Sequence, residues 1–318
     1  MKQRRLGNTG IDVSELAFGG VEIGMPYGLH AQAGAAGLMD ASSAIALLHQ
    51  ALDRGINFYD TARLYGNSEA FMGKAFAGKR SAVVFATKCR HFKDPAGQIP
   101  AYGPLRKLVE SSLQESLRAL QTDYIDVFMV HYADLAILEN EDVQRVFTAL
   151  RSAGTVRAIG VSVYEPSETQ QALEAGCWDL IQLPFNLMDQ RQRVFFDEAA
   201  RRGIGIVARS VLLRGLLSDR NVDWHPALKK VEQHIASYQA LVRPPIRHLA
   251  QLATKFVLSY PAVTSVLVGL DKEEYLEEAI STALGDHLDE HLFQKAIAMA
   301  YPDPDFLNLA NWDRRGWI

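Results

Sequence analysis

Four polar residues that could move a proton stand at or just after the ends of apolar, strand-like runs. They are Asp60 and Tyr65 after the run at 56–59, Lys88 after 82–87 and His131 after 124–130. If these runs are consecutive parallel strands, their carboxyl ends lie side by side and the four side chains meet at one opening. A lysine held by a carboxylate can lower the pKa of a nearby phenol. The pattern therefore predicts acid–base chemistry in which Lys88 and Asp60 act on Tyr65.

The scaffold that would position these residues is an alternation of strands and helices. Apolar runs that predict strands lie at 16–19, 56–59, 82–87, 124–130, 156–161, 179–183, 204–208 and 264–268. Between them, residues 44–52 and 104–120 repeat apolar positions every three to four residues, as amphipathic helices do. Another helix is expected to begin at Pro166 and to end at Gly176, because proline suits a first turn and glycine a helix end.

Eight strands alternating with helices predict a (β/α)8 TIM barrel, because parallel strands need crossover connections of this size. We expect a single domain over residues 1–318, with a turn at 8–10 ahead of the barrel. A doubly wound open sheet is the alternative, and it is disfavoured because no Gly-x-Gly-x-x-Gly follows the first strand. Residues 21–41, after the first barrel strand, and 213–245, after the seventh, are expected to be extended loops.

Composition limits the class of protein. The chain has 33 Lys and Arg against 37 Asp and Glu, a net charge of −4, which argues against a general surface for nucleic acid or anionic membrane. Cys89 and Cys177 are too few for a disulfide framework and fit a reducing compartment. No apolar run approaches the ~20 residues of a membrane span, and no apolar stretch follows the basic start. We expect a cytoplasmic protein without a signal peptide.

The segments that carry the four polar residues resemble the aldo-keto reductase superfamily. Residues 60–69, Asp-Thr-Ala-Arg-Leu-Tyr-Gly-Asn-Ser-Glu, are similar to its first signature, Ala-Thr-Lys at 86–88 to its lysine segment and Val-His at 130–131 to its histidine segment. Residues 5–20 are similar to its N-terminal hairpin and first strand. The resemblance implies hydride transfer between NAD(P)H and an aldehyde or ketone, or the reverse oxidation of an alcohol or aldose.

The same resemblance implies a role for each member of the set. Tyr65 would be the general acid in reduction and, as tyrosinate, the base in oxidation. Lys88, held by Asp60, would bring the phenol pKa down from about 10. His131, in its neutral form, would orient the carbonyl oxygen by a hydrogen bond.

Cofactor contacts are implied by resemblance in the second half of the chain. They are Ser162 and Gln182 for the nicotinamide carboxamide, Arg209 in place of a common aromatic beside the nicotinamide, Ser210, Leu212 and Arg214 for the pyrophosphate, and Gly269, Asp271, Lys272 and Glu278 for the adenosine end. The resemblance implies NADP(H), but a carboxylate at Asp271 would repel a 2′-phosphate, so NAD(H) is possible. A helix N-cap is the equally weighted interpretation of Asp271.

On the substrate side, the resemblance points to residues of the loops and of the C-terminal tail. These are Met25, Tyr27, Tyr132 and Trp312. The tail from Tyr301 has no helical pattern, and its tryptophans should pack back on the barrel, either on its outer wall or in the pocket. The expected partner is a small carbonyl, alcohol or sugar substrate.

Two other classes of function compete with an oxidoreductase. One is a regulatory barrel that binds the cofactor with little turnover, which the intact set of four residues argues against. The other is a metal-dependent hydrolase using Asp60 and His131, which the absence of His-x-His or His-Glu-x-x-His spacing argues against. We therefore expect an enzyme without a metal ion.

Overall fold

The computed structural model describes residues 1–28, 39–219 and 222–318 of the chain. Eight parallel strands close into a barrel in the order β10-β3-β4-β5-β6-β7-β8-β9, which confirms the (β/α)8 prediction. The barrel strands are β3 Leu16–Gly19, β4 Phe58–Asp60, β5 Val84–Lys88, β6 Ile125–Val130, β7 Val156–Ser162, β8 Leu180–Pro184, β9 Gly205–Arg209 and β10 Val263–Gly269. An antiparallel hairpin of β1 Gln3–Arg5 and β2 Asp12–Ser14 precedes them.

Helices connect the strands around the outside. Their bounds are α1 Val21–Gly24, α2 Ala41–Asp53, α3 Ser68–Ala75, α4 Tyr102–Ala119, α5 Leu135–Leu138, α6 Glu141–Ser152, α7 Pro166–Ala175, α8 Phe196–Arg202, α9 Lys229–Ser237, α10 Leu249–Leu258, α11 Glu273–Leu284, α12 Glu290–Ala298 and α13 Leu309–Arg314. The α7 signals are confirmed, since Pro166 occupies the first turn and Gly176 ends the helix at φ 66°. Among the described residues, no helix is long and apolar enough to cross a bilayer.

Strand alternation decides which side chains face the barrel axis. The inner core includes Phe58 on β4, Val84 and Ala86 on β5, Leu180 on β8 and Val207 on β9. Side chains two residues further along a strand share its face. The strand-end residues Asp60, Lys88, Gln182 and Arg209 therefore turn inward at the carboxyl end. Leu6, Ile11 and Val13 of the N-terminal hairpin belong to the same inner cluster.

Both segments expected to be loops contain regular structure. The first holds α1 and the start of α2, with 29–38 outside the described residues. The second holds α9 and short 3-10 turns at Leu213–Gly215, Pro226–Leu228 and Tyr238–Leu241. The prediction of long connections after the first and seventh barrel strands agrees with the structure, but the helices inside them were not predicted. The four-residue α1 and the 3-10 turns are too short to produce a recognisable period.

The prediction of a non-helical tail was also wrong. A 3-10 turn, Pro304–Leu307, leads into α13. Asn308 caps α13 by accepting a hydrogen bond from the Asn311 amide. Trp312 is 1% exposed, and its indole Nε1 donates to the Phe306 carbonyl at 2.8 Å. The expectation that the tail packs back on the molecule is confirmed for Trp312.

Candidate active site

A large cavity, of about 560 Å³, opens at the carboxyl end of the barrel. Its size is typical of a small-molecule or cofactor site. Asp60, Tyr65 and His131 line one part of it, with Lys88 buried behind Asp60, and we call these four residues the reactive end. Asp219, His248, Asp271 and Glu278 line another part, the acidic end.

Asp60 joins two sides of the barrel. The Lys88 ammonium donates to Asp60 Oδ1 at 2.6 Å and to the Thr61 carbonyl at 3.0 Å. The other carboxylate oxygen, Oδ2, accepts from Gln182 Nε2 at 2.8 Å. Ser162 Oγ in turn lies 3.3 Å from Gln182 Oε1, as donor. The predicted carboxamide contacts Ser162 and Gln182 are thus linked to the reactive end by one chain of hydrogen bonds.

The loop that carries Tyr65 is fixed from below by buried polar contacts. Arg63 forms an ion pair with Glu69, whose Oε1 accepts from the Thr87 hydroxyl at 2.6 Å. On the other side the loop lies directly on α1: a Cβ on Gly66 would lie 2.2 Å from the Gly24 carbonyl oxygen. Gly66 also has φ +52°, so a larger residue there would be both strained and blocked.

Tyr65 lies between the lysine and the histidine. Its ring centroid is 5.0 Å from Lys88 Nζ and 5.3 Å from the His131 ring centroid, at an interplanar angle of 80°. Burial raises the pKa of the Tyr65 phenol well above 10, Asp60 raises it further, and Arg209 lowers it. The prediction of a lowered phenol pKa was wrong for the protein alone, because burial and Asp60 together outweigh the nearby cations. The Lys88 charge is matched by Asp60, and its own pKa is lowered by burial.

His131 is held as a neutral imidazole. Burial lowers its pKa to about 3, and Lys88, His91 and Arg209 lower it as well. Its ring stacks on His91 with centroids 5.4 Å apart. Nδ1 is buried and has no hydrogen-bond partner among the described residues. A neutral imidazole can donate one hydrogen bond and accept another, which agrees with the predicted protonation state.

Arg209, the last residue of β9, lines the cavity beside these groups. Its guanidinium donates to the Val163 carbonyl at 2.8 Å and to Ser210 Oγ at 3.2 Å. It also covers the Tyr164 ring, 4.0 Å from the centroid. Tyr164, which was not predicted, packs edge-on against Tyr132 at 5.1 Å. Its position two residues after Ser162, the last residue of β7, was the only signal that the sequence offered for it.

The acidic end brings together residues from three segments. His248 Nδ1, at the start of α10, lies 3.3 Å from Glu278 Oε1 on α11 and 3.9 Å from Asp219 Oδ2. Asp271 lines the cavity nearby. Asp219 and His248 were not predicted, because nothing in their spacing relates them to Glu278.

The helix-cap interpretation of Asp271 was wrong. The N-cap of α11 is Lys272, without a capping hydrogen bond from its side chain. Lys272 is exposed and does not line the cavity, and its ammonium lies 5.4 Å from the Tyr275 ring centroid. Of the predicted adenosine-end residues, Gly269, Asp271 and Glu278 line the cavity.

The remaining predicted residues separate into two groups. Ser210, Leu212, Arg214 and Tyr27 line the cavity. Arg214 pairs with Asp313 of α13, and its guanidinium lies 5.2 Å from the Tyr27 ring centroid. Met25, Tyr132 and Trp312 do not line this cavity, and Trp312 is buried as part of the hydrophobic core. No group of three or more His, Cys, Asp or Glu residues suited to a metal ion occurs in the described parts of the chain.

Comparisons with known proteins agree with this architecture. The Aldo/keto reductase family model matches residues 16–295. The chain is 26% identical to the uncharacterized oxidoreductase YqkF of Bacillus subtilis (strain 168), covering 91% of this chain and 94% of that one. It is 28% identical to L-galactose dehydrogenase of Arabidopsis thaliana, covering 87% and 86%. Its fold matches the holo form of aldo-keto reductase AKR11C1 from Bacillus halodurans with a TM-score of 0.79, at 26% identity over 94% and 96% of the two chains.

Proposed function

The chain belongs to the aldo/keto reductase family and is an NAD(P)-dependent oxidoreductase of carbonyl compounds, and from this premise we propose that Tyr65 exchanges the proton with the substrate oxygen. The observation that carries the proposal is the position of the phenol, in the cavity between a buried ion pair and a neutral imidazole.

The residues of the cavity fit a nicotinamide dinucleotide. A volume of about 560 Å³ is within the range of cofactor sites. The reactive end would face the nicotinamide and the acidic end the adenosine. Ser162 and Gln182 offer a hydroxyl and an amide for the carboxamide. For the pyrophosphate, the loop after β9 offers Arg214. In the same loop Ser210 and Leu213 have left-handed backbone, a conformation found in anion-binding turns. When bound, the cofactor supplies or accepts the hydride.

The geometry of the reactive end indicates the route of the proton. In reduction, the Tyr65 hydroxyl gives its proton to the oxygen of the carbonyl compound. In oxidation, the tyrosinate accepts the proton of the alcohol. His131 donates a hydrogen bond to the same oxygen from its neutral ring, where it can stabilise developing negative charge. Lys88 and Asp60 form a buried ion pair without net charge, which fixes the position of the side chains below Tyr65.

For the cofactor we propose a preference for NAD(H). The acidic end presents Asp219, Asp271 and Glu278 to the cavity, and His248 is already engaged by Glu278. A 2′-phosphate would add roughly two negative charges to this end of the cavity. Lys272 does not line the cavity and so does not compensate them. A free ribose hydroxyl can instead donate to a carboxylate.

For the substrate we propose an alcohol or an aldose in the oxidative direction. Tyr27 and Tyr164 line the cavity with 42% and 46% of their surface exposed, and Tyr132, 41% exposed, packs edge-on against Tyr164. Each offers an apolar ring face and a hydroxyl, which suits a polyhydroxylated substrate with alternating C–H and O–H groups. The similarity to L-galactose dehydrogenase supports the same substrate class.

The test is a turnover assay of the purified protein with NAD(H) and NADP(H), in both directions, on a panel of aldehydes, ketones, alcohols and aldoses. We expect cofactor-dependent turnover that a chelator leaves unchanged, and a higher kcat/KM with NAD+ and an aldose than with NADPH and a simple ketone. Tight cofactor binding without turnover on any substrate would instead favour a regulatory barrel.

A further inference from the structure

One positive charge beside the reactive end, that of Arg209, has no carboxylate paired with it among the described residues. Lys88 is matched by Asp60 at 2.6 Å, and His131 is neutral. Arg209 has hydrogen bonds to a carbonyl and a hydroxyl, and no ion pair with any residue in 1–28, 39–219 or 222–318. Glu22, a carboxylate of the same cavity, lies against Gly269 instead, with its Oε1 only 1.9 Å from where a Cβ on that glycine would be.

Arg209 is also held in place. Its two hydrogen bonds and the Tyr164 ring beneath it restrict the guanidinium on three sides. Its charge reaches the reacting groups, because it lowers the pKa of Tyr65 and of His131. Like charges repel strongly in a partly buried site, where the effective dielectric constant is far below that of water.

Hydride transfer changes the charge of the cofactor at this place. Oxidation of an alcohol sends a hydride, which is two electrons and a proton, from carbon to the nicotinamide, while the hydroxyl proton goes to Tyr65. The nicotinamide ring loses its positive charge as it is reduced. Direct hydride transfer would require a bound nicotinamide to approach a carbon whose oxygen contacts Tyr65 and His131, and Arg209 lines the same cavity as these two residues.

We propose that Arg209 makes the site discriminate between the two oxidation states, binding the neutral reduced nicotinamide more tightly than the cationic oxidised form. This inference rests on the proposed function. Tighter binding of the reduced form raises the reduction potential of the bound couple and favours alcohol oxidation on the enzyme. A tenfold difference between the two dissociation constants corresponds to about 30 mV for a two-electron couple.

The experiment measures dissociation constants of NAD+ and NADH, without substrate, at neutral pH and fixed salt, by quenching of protein fluorescence. Wild type is compared with Arg209→Gln and Arg209→Met, which remove the charge, and with Arg209→Lys, which keeps it. We expect the ratio of the NAD+ to the NADH constant to fall roughly tenfold in both neutral variants, and to stay within threefold of wild type in Arg209→Lys.

Each other outcome has a definite meaning. A ratio unchanged in the neutral variants, with both constants moving together, would show that Arg209 only shapes the site and would overturn the inference. A ratio lost equally in Arg209→Lys would show that the guanidinium plane, and not its charge, is responsible, and would overturn it as well. Failure of wild type to bind either form of the cofactor, NADP(H) included, would contradict the proposed function itself.

Discussion

The two ends of the cavity are built by opposite means. At the reactive end the charges are buried, paired and carried by neighbouring strands: Asp60 and Lys88 are each 1% exposed and 2.6 Å apart. At the acidic end Asp219 is exposed, whereas His248, Asp271 and Glu278 are partly buried, and His248 lies 3.3 Å from Glu278 and 3.9 Å from Asp219. The arrangement at the reactive end fixes the positions of the side chains that would act on the substrate. The arrangement at the acidic end gives its part of the cavity a negative electrostatic potential. We therefore expect substitutions at one end to change turnover and those at the other to change cofactor choice.

The largest effect is expected from Tyr65→Phe. The substitution removes only the hydroxyl, so reduction and oxidation should both fall by a factor on the order of 10² or more, the scale of general acid–base catalysis. Cofactor affinity should be nearly unchanged. Tyr124→Phe is the matched control, because it removes a phenol hydroxyl just ahead of β6, at the amino end of the barrel. Steady-state kinetics decide, and near wild-type turnover by Tyr65→Phe would reject the assigned role.

Lys88→Met is expected to affect both stability and pH dependence. It leaves Asp60 as an unpaired buried carboxylate, which typically costs about 3–5 kcal/mol of unfolding free energy. Because Asp60 raises the pKa of Tyr65, the rise of alcohol oxidation with pH should also move to higher pH, since oxidation needs the tyrosinate.

A second buried lysine provides the control for Lys88→Met. The Lys255 ammonium donates to the Thr282 carbonyl at 3.0 Å, and Lys255 is outside the reactive end. Lys255→Met should destabilise the fold in urea unfolding without moving the pH profile. A profile that moves equally in both variants would mean that the shift reports destabilisation and not the charge at Lys88.

At the acidic end, Asp271→Ser should improve NADP(H) binding by about 1 kcal/mol, the scale of one relieved near-surface charge contact. This is about fivefold in the dissociation constant, with little change for NAD(H). Glu274→Gln is the control, since Glu274 is exposed in the first turn of α11, the helix that follows Asp271, and does not line the cavity. Equal effects of the two variants would show only a change in net charge, and no effect of either would exclude a ribose contact.

The smallest effect on the rate of carbonyl reduction is expected from lowering the pH. His131 has a pKa of about 3, so it is neutral above that value and gains no proton between pH 8 and pH 5. The Tyr65 phenol, with its pKa raised, also keeps its proton over this range. The kcat of carbonyl reduction at saturating cofactor should therefore be flat within about twofold from pH 5 to 8. An inflection near pH 6.5 that disappears in His131→Asn would contradict the neutral, buried imidazole.

The same contrast explains what the sequence could predict. Asp60 and Lys88 end apolar runs, and strand alternation alone directs them to the barrel interior. Asp219 and His248 meet Glu278 only because a loop and two helices fold together, so no periodic signal links them. The helices α1 and α13, of four and six residues, are too short to show a period.

The prediction of a lowered Tyr65 pKa was wrong for a different reason. The sequence shows which charges accompany the phenol, but it does not show how deeply the hydroxyl is buried. Burial proved to be the largest influence, and Asp60 acts in the same direction. The cation that opposes them is Arg209, which lies on β9, far from Tyr65 in the sequence.

The most direct test of the account measures hydride transfer and cofactor choice in the same samples. Single-turnover rates of NAD(P)H oxidation and dissociation constants for NADH and NADPH would be determined for wild type, Tyr65→Phe and Asp271→Ser. We predict that Tyr65→Phe lowers the rate by at least about 10² and leaves the ratio of the two constants unchanged. Asp271→Ser should shift that ratio toward NADPH and leave the rate unchanged. A Tyr65→Phe variant that transfers hydride at the wild-type rate would contradict the central claim that the Tyr65 hydroxyl supplies the proton.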